Sequence, residues 1–217
     1  MPILIKMNRT RLMTCFLNYC DYSSQMKNII DAKRINQITT FLKSLNIKSK
    51  RFSEIVRTQN ISVIQDFHQA FIHSSEDKIT NYEKLEFFGD AVLRLAASNF
   101  IEEKYPQMSV GERSELRAQI VSDEWLTKLG QKIDIEKLII KGPKALGDEN
   151  SKNTIIGEAT EALIGAIYKC FNSIQEVNLW LDDIWEEDSE IFLKAPYKFK
   201  SKTVLQEWCQ SKGCDLP

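Results

Sequence analysis

The sequence predicts an all-α protein, and three observations carry that prediction. Apolar residues recur at helical spacing through two long stretches, 83–104 and 153–170. No segment alternates apolar and polar residues as a half-buried strand would. Ser109-Val110-Gly111-Glu112 is a capping box, in which the serine and the glutamate each satisfy a backbone amide that the first helical turn leaves free.

Taken in order, 35–45 and 61–72 have helical spacing, and 83–104 is a long helix ended by Tyr105-Pro106, because the residue before a proline is pushed out of helical backbone. The capping box starts a helix expected to run toward Gly130. Lys141-Gly142-Pro143 and 147–153 are turn-rich and predict a flexible loop before Glu158. The second long helix, 153–170, carries Ile155, Ala159, Ala162, Leu163, Ala166, Ile167 and Cys170 on its apolar side, and a final helix covers about 173–193.

Carboxylates interrupt both long helices. Glu83, Glu86 and Asp90 fall on one stripe of 83–104, since positions three and four apart stack on the same face. Leu85, Phe87, Phe88, Ala91, Val92, Leu93 and Leu95 cover the rest, so this helix is expected to be buried. Glu158 and Glu161 share one side of 153–170, with Gly165 one turn beyond. If the two helices cross, Glu86, Asp90, Glu158 and Glu161 form a cluster whose repulsion must be relieved by cations or by raised pKa values. Buried acids are costly unless paired, protonated or metal-bound, and hard divalent cations prefer oxygen ligands. A pair of acids three or four apart is commonplace on a solvated face. Neither helix, however, has a polar face to which these acids would simply belong, which favours a cation site.

A chain of 217 residues with 43% hydrophobic residues can bury one substantial core. No apolar run approaches the ~20 residues of a membrane span, so no membrane association is expected. The five cysteines, Cys15, Cys20, Cys170, Cys209 and Cys214, are odd in number and form no CxxC pair, which argues for a reducing compartment; Cys170 reads as plain core. His68 and His73 are the only histidines, which excludes a His-rich zinc site; His73 is expected to cap or pack locally. The net charge is −1, yet residues 1–60 hold eleven Lys or Arg against Asp21, Asp31 and Glu54, a local +8. That segment reads equally as an RNA-contacting arm and as a presequence-like extension. The acidic run Asp182, Asp183, Glu186, Glu187, Asp188 and Glu190 reads as a solvated face.

Asn81-Tyr82-Glu83-Lys84-Leu85-Glu86-Phe87-Phe88-Gly89-Asp90-Ala91-Val92-Leu93 resembles the ribonuclease III signature. It follows 67–75, similar to the segment preceding that signature, and precedes Ser114-Glu115-Leu116-Arg117-Ala118 through Val121-Ser122-Asp123, which resembles the next family helix. The segment 157–166, from Gly157-Glu158-Ala159-Thr160-Glu161 to Ala166, resembles the second acidic motif. The likeness runs from about Ile35 to Pro217. Arg94-Leu95-Ala96-Ala97 and Val110-Gly111-Glu112 look closest to cyanobacterial and plastid members, which points to cytoplasm or plastid stroma.

The resemblance implies a double-stranded RNA endonuclease working as an all-α homodimer, with Mg2+ as cofactor, Mn2+ as a substitute, and no nucleotide cofactor. Glu86, Asp90, Glu158 and Glu161 would be the metal ligands, Asp90 and Glu161 the catalytic pair, and Glu83 part of the dimer and RNA-contacting region. Two ions ~3.5–4 Å apart generate a hydroxide, stabilise charge on phosphorus and neutralise the leaving oxygen. The products would be a 5′ phosphate and a 3′ hydroxyl. Residues 1–34 would be a basic extension, 35–194 the nuclease domain, 195–202 a linker, and 203–217 the start of a double-stranded RNA-binding domain, too short to be complete.

Position 158 is Glu where the family usually has Asp, and Val110 stands where an acid often precedes the glycine. These departures keep alive a ribonuclease III-like protein that binds structured RNA, or sits in a ribosomal complex, without cutting it. A different metal-dependent phosphohydrolase on an all-α scaffold shares the carboxylate logic but not the ordered motifs.

Overall fold

A computed structural model of the chain describes residues 30–148, 150–194, 209, 211 and 212. The chain divides into two compact units, 1–34 and 35–217. Only residues 30–34 of the first are described, and the proposed linker and RNA-binding-domain start lie almost wholly outside the described residues.

The described residues form helices α1 (Ala32–Ser44), α2 (Lys50–Thr58), α3 (Ile61–Gln69), α4 (Glu83–Lys104), α5 (Val110–Ile120), α6 (Asp123–Lys132), α7 (Pro143–Leu146), α8 (Lys152–Phe171) and α9 (Ile174–Lys194), with a 3₁₀ turn at Ile135–Leu138. The strand-like pairing among them is an isolated parallel bridge between Ile72 and Ile140. There the His73 amide donates to the Ile140 carbonyl at 3.0 Å, and the Ile140 amide to the Phe71 carbonyl at 2.8 Å. The all-α expectation holds.

The structure departs from the sequence reading at several elements: the helix expected over 61–72 ends at Gln69, and the short α7 falls within the expected flexible loop. The helix expected from Ser109 to Gly130 is two helices, because Ser122 leaves the helical path and its hydroxyl accepts from the Trp125 amide at 3.2 Å, capping α6. The capping box itself forms: Ser109 accepts from the Glu112 amide, and Glu112 accepts from the Ser109 amide at 2.8 Å. Helix α2 went unpredicted. It is dominated by Lys50, Arg51, Glu54 and Arg57, and only Phe52 and Val56 are buried, too few to reveal a period.

Helices α4 and α8 are each other's most extensive neighbours. They touch backbone to backbone where Gly89 meets the Glu161 carbonyl and Gly165 meets the Leu85 carbonyl, with no room for a Cβ at either glycine. Around this crossing, α6 packs along α8, and α5 and α9 flank α4. A cluster of Phe100, Trp125 and Trp185 fills the space between them, with ring centroids 5.6 and 5.8 Å from Trp185. The Trp185 indole is fully buried and donates to the Ile120 carbonyl at 3.0 Å, so its polar atom is satisfied.

The expectation that α4 is buried all round is corrected. Leu85, Val92, Leu93, Ala96 and Ala97 are buried, but Phe87 is 83% exposed, Leu95 53% and Phe88 41%, forming an outward apolar stripe with Ala91. The packed neighbours cover only the opposite side. The acidic run of α9 is likewise more than a solvated face. Asp188 accepts from the Trp125 indole at 2.7 Å, Asp182 is half-buried, and Asp183, Glu186, Glu187 and Glu190 pair with Lys48, Lys104, Lys132 and Lys194. Cys170 is half-buried, and desolvation pushes its thiol up to about 12, which makes it chemically quiet.

Because an added methyl at Gly89 or Gly165 meets rigid backbone, Gly89→Ala and Gly165→Ala are each expected to cost about 3 kcal/mol or more. Gly111→Ala, on the open first turn of α5, is expected to cost nothing. Urea unfolding of the three variants checks this.

Candidate metal centre

The signature loop is built to deliver α4 at a fixed angle. Asp77 accepts from the amides of Ile79 and Thr80 at 2.7 and 2.9 Å, which holds its carboxyl below the usual carboxylate range. Asn81 is buried and donates to the Asp77 carbonyl at 2.9 Å, while its side-chain oxygen accepts from the Glu83 amide at 2.9 Å and so closes the start of α4. Gln69 donates to the Asn81 carbonyl at 2.9 Å. The Tyr82 amide donates to the Ile72 carbonyl at 2.9 Å, and the His73 ring stands edge-on to Tyr82 at 5.6 Å. His73 meets the expectation of local packing: its Nδ1 accepts from the Ser75 amide at 3.0 Å and lies 2.7 Å from the Ser75 hydroxyl.

From that anchored start, the crossing at Gly89 and Gly165 sets the acids of α4 against those of α8. Glu86, Glu158 and Glu161 line one open cleft of about 610 Å³, together with Asp123, Thr127, Lys128, Gln131, Asn153 and Thr154. The far wall is tied down by the Thr127 hydroxyl, which donates to the Asn153 carbonyl at 3.0 Å. Asp123 was not singled out from sequence as a site residue. It sits in the first turn of α6, where an acid also meets the helix dipole favourably, and that role alone masked its second one.

The electrostatics report crowding. Glu161 is pushed up to about 8, first by burial and then by Asp90, Glu86 and Asp123, with Arg94 opposing. Glu86 is pushed up to about 6 by burial, Glu158 and Glu83. Carboxyls that hold protons near neutrality are short of positive charge. The Tyr82 hydroxyl donates to Glu158 Oε2 at 2.5 Å, and burial plus this bond raise the phenol well above its ordinary range.

The fourth expected ligand, Asp90, is held in an ion pair. Asp90 does not line the cleft, and Arg94 Nε donates to both its carboxylate oxygens, at 2.8 and 3.0 Å. Glu83 is exposed at the start of α4, outside the cleft lining. Among the described residues, no three His, Cys, Asp or Glu side chains converge closely enough to hold a metal ion as they stand. The donor set nonetheless fits a hard divalent cation. It is all oxygen, it is crowded enough to retain protons, and Glu158 and Asp90 each hold a polar side-chain partner, a hydroxyl and a guanidinium, where a cation would compete.

Helices crossed so that acids gather beside an open cleft make the described residues an all-α domain with a candidate cation site. A Ribonuclease-III-like family model matches residues 65–178. Ribonuclease 3 of Prochlorococcus marinus is 42% identical over 190 residues, covering 88% of this chain and 76% of that protein. Ribonuclease 3 2 of Synechocystis is 34% identical over 148 residues, covering 68% of this chain and 61% of that protein. Among solved structures, the nuclease domain of ribonuclease III from Campylobacter jejuni aligns with a TM-score of 0.51 at 24% identity, over 69% of this chain and 92% of that one, a likeness of fold. The chain belongs to the ribonuclease III family, and ribonuclease III is its enzyme class. No described helix is long and apolar enough to cross a membrane.

The raised carboxyls give a pH dependence whose sign is fixed. Between about 4.5, the ordinary glutamate value, and about 8, the folded protein holds protons that the unfolded chain releases, so stability falls as pH rises through that window. In chelator, the urea midpoint is expected to drop from pH 5 to pH 8, and Glu161→Gln to flatten the drop. An unchanged slope in the variant would exclude Glu161 as its source.

Proposed function

We propose that this chain is an endoribonuclease that cleaves double-stranded RNA by metal-dependent hydrolysis, working as a homodimer and leaving 5′-phosphate and 3′-hydroxyl ends. The observation that carries the proposal is the α4/α8 crossing, which sets Glu86 of α4 against Glu158 and Glu161 of α8 along an open cleft. Family membership supports it, and the cyanobacterial relatives favour a bacterial cytoplasm or a plastid stroma as its setting.

In this reading Glu86, Asp90, Glu158 and Glu161 hold the cations, with Asp90 and Glu161 most directly engaged. Bound Mg2+, or Mn2+ in its place, supplies Lewis-acid stabilisation of the phosphodiester and activates water. The protein supplies the rest. The glycine contact holds the facing carboxylates in register, and the Tyr82 hydroxyl orients Glu158. Glu161 would have to be a carboxylate to hold a cation, which would couple cation affinity to pH. The longer Glu158 side chain would place its carboxylate differently from an aspartate, which a cation less exacting than Mg2+, such as Mn2+, would tolerate better.

The exposed Phe87, Phe88, Ala91 and Leu95 stripe is the surface for the second copy, set beside Glu83 so that two cleavage sites face opposite strands. Residues 1–34 act as a basic extension, 35–194 as the nuclease domain, 195–202 as a linker and 203–217 as the start of an RNA-binding module.

The Asp90–Arg94 pair and Glu158 together favour a second reading, an RNA-binding protein that does not cut. Cleavage of a long duplex RNA with Mg2+ and with Mn2+ decides between them. Cleavage to short duplexes, reduced at least a hundredfold in Asp90→Ala and Glu161→Ala, is expected; stable binding of intact duplex with both metals establishes the second reading. Glu158→Asp is expected to raise the Mg2+ rate relative to the Mn2+ rate. Phe87→Asp is expected to convert the dimer to a monomer in sedimentation.

A further inference from the structure

We infer that Arg94 is the resident counter-ion of Asp90, a positioning residue that a divalent cation must displace before Asp90 can turn toward the cleft. The inference rests on the cation site proposed above and adds to it a residue from outside the acidic set.

Arg94 lies one helical turn after Asp90 on α4, the favourable order for an acid followed by a base four residues on. Its Nε reaches both Asp90 oxygens at 2.8 and 3.0 Å, so the charge that faces the carboxylate is already positive. That contact accounts for the absence of Asp90 from the cleft lining that holds Glu86, Glu158 and Glu161.

Two properties suit Arg94 to an exchangeable role rather than a permanent structural one. Its guanidinium is protonated at every accessible pH, so the arginine keeps its charge until a competing cation takes its place. The side chain is 58% exposed, and an exposed pair of this kind contributes a factor of only about three to an equilibrium constant. A divalent ion held by several carboxylates outcompetes it readily, and the displaced guanidinium has open solvent to enter. A buried arginine in the same place would have locked Asp90 and prevented the site from assembling.

The backbone around Arg94 is fixed independently. The Ser98 hydroxyl donates to the Arg94 carbonyl at 2.8 Å, and Arg117 of α5 donates to that same hydroxyl at 3.0 Å. Removal of the guanidinium therefore alters charge and contact at Asp90 without loosening the helix.

The test is direct binding of Mn2+ to the cation-free full chain, followed by the electron paramagnetic resonance signal of the free ion, at constant ionic strength. Arg94→Gln is expected to bind Mn2+ about threefold more tightly than wild type, with Arg94→Lys between them. Asp90→Asn is expected to weaken binding, and in that background Arg94→Gln is expected to have a smaller effect than in wild type, since the charge pair is gone and only the field of Arg94 at Glu161 remains. An effect of Arg94→Gln that persists undiminished in the Asp90→Asn background would overturn the inference. So would unchanged or weaker binding in Arg94→Gln alone. If Asp90→Asn leaves Mn2+ binding untouched, the cation site itself is wrongly assigned and the proposed function fails with it. If Arg94→Gln does not fold by circular dichroism, the Arg94→Lys comparison decides, its affinity above wild type supporting the inference and its equality overturning it.

Discussion

The contact between the backbones of α4 and α8 is the constraint on which the rest of the structure depends. Two glycines remove the side chains that would otherwise hold helix axes about 8–10 Å apart. Gly89 rests on the Glu161 carbonyl and Gly165 on the Leu85 carbonyl, so each glycine is seated within one turn of an acid on the partner helix. The same contact that saves space thus sets the register of the carboxylates. A slip of one residue would rotate each acid by about 100° around its helix and disperse the cluster. Nothing else in the fold could restore it, because the remaining helices touch α4 and α8 from outside the crossing.

That close approach concentrates negative charge, and the fold carries the consequences openly. Glu161 and Glu86 retain protons, Glu158 leans on a phenol, and Asp90 leans on an arginine. Each is a different answer to the same repulsion: protonation, hydrogen bonding or ion pairing. A hydrophobic replacement of these residues would make a more stable bundle. The acids persist at a cost to stability, as residues kept for chemistry do.

Much of this was legible in the sequence because it is written in local patterns. The 83–104 helix has the observed ends because Asn81 and Pro106 act within a few residues of them. The acidic stripes of α4 and α8 were legible for the same reason, since three- and four-residue spacing needs no tertiary knowledge. The break at Val121–Ser122 was missed because the apolar pattern continues through it, and a serine cap competes poorly with a period on paper. The outward face of α4 was misread for a deeper reason. Phe87 and Leu95 are as apolar as Leu93, and only the placement of neighbouring helices decides which side is covered. Asp123 and the Asp90–Arg94 contact were hidden likewise: one looked like an ordinary helix-start acid, the other like ordinary surface charge.

The bridge between Ile72 and Ile140 bears on timing. It fastens the segment just before the signature helix to one that the ribosome delivers much later, and at about 5–20 residues per second the two are made several seconds apart. Until then α4 has emerged with half of the acids but without α8, whose glutamates follow the bridge in the chain. A nascent copy therefore carries the signature sequence for seconds without a cleft. The order of the helices thus sets an order of assembly, in which the acids of α4 wait for those of α8 before the cleft exists.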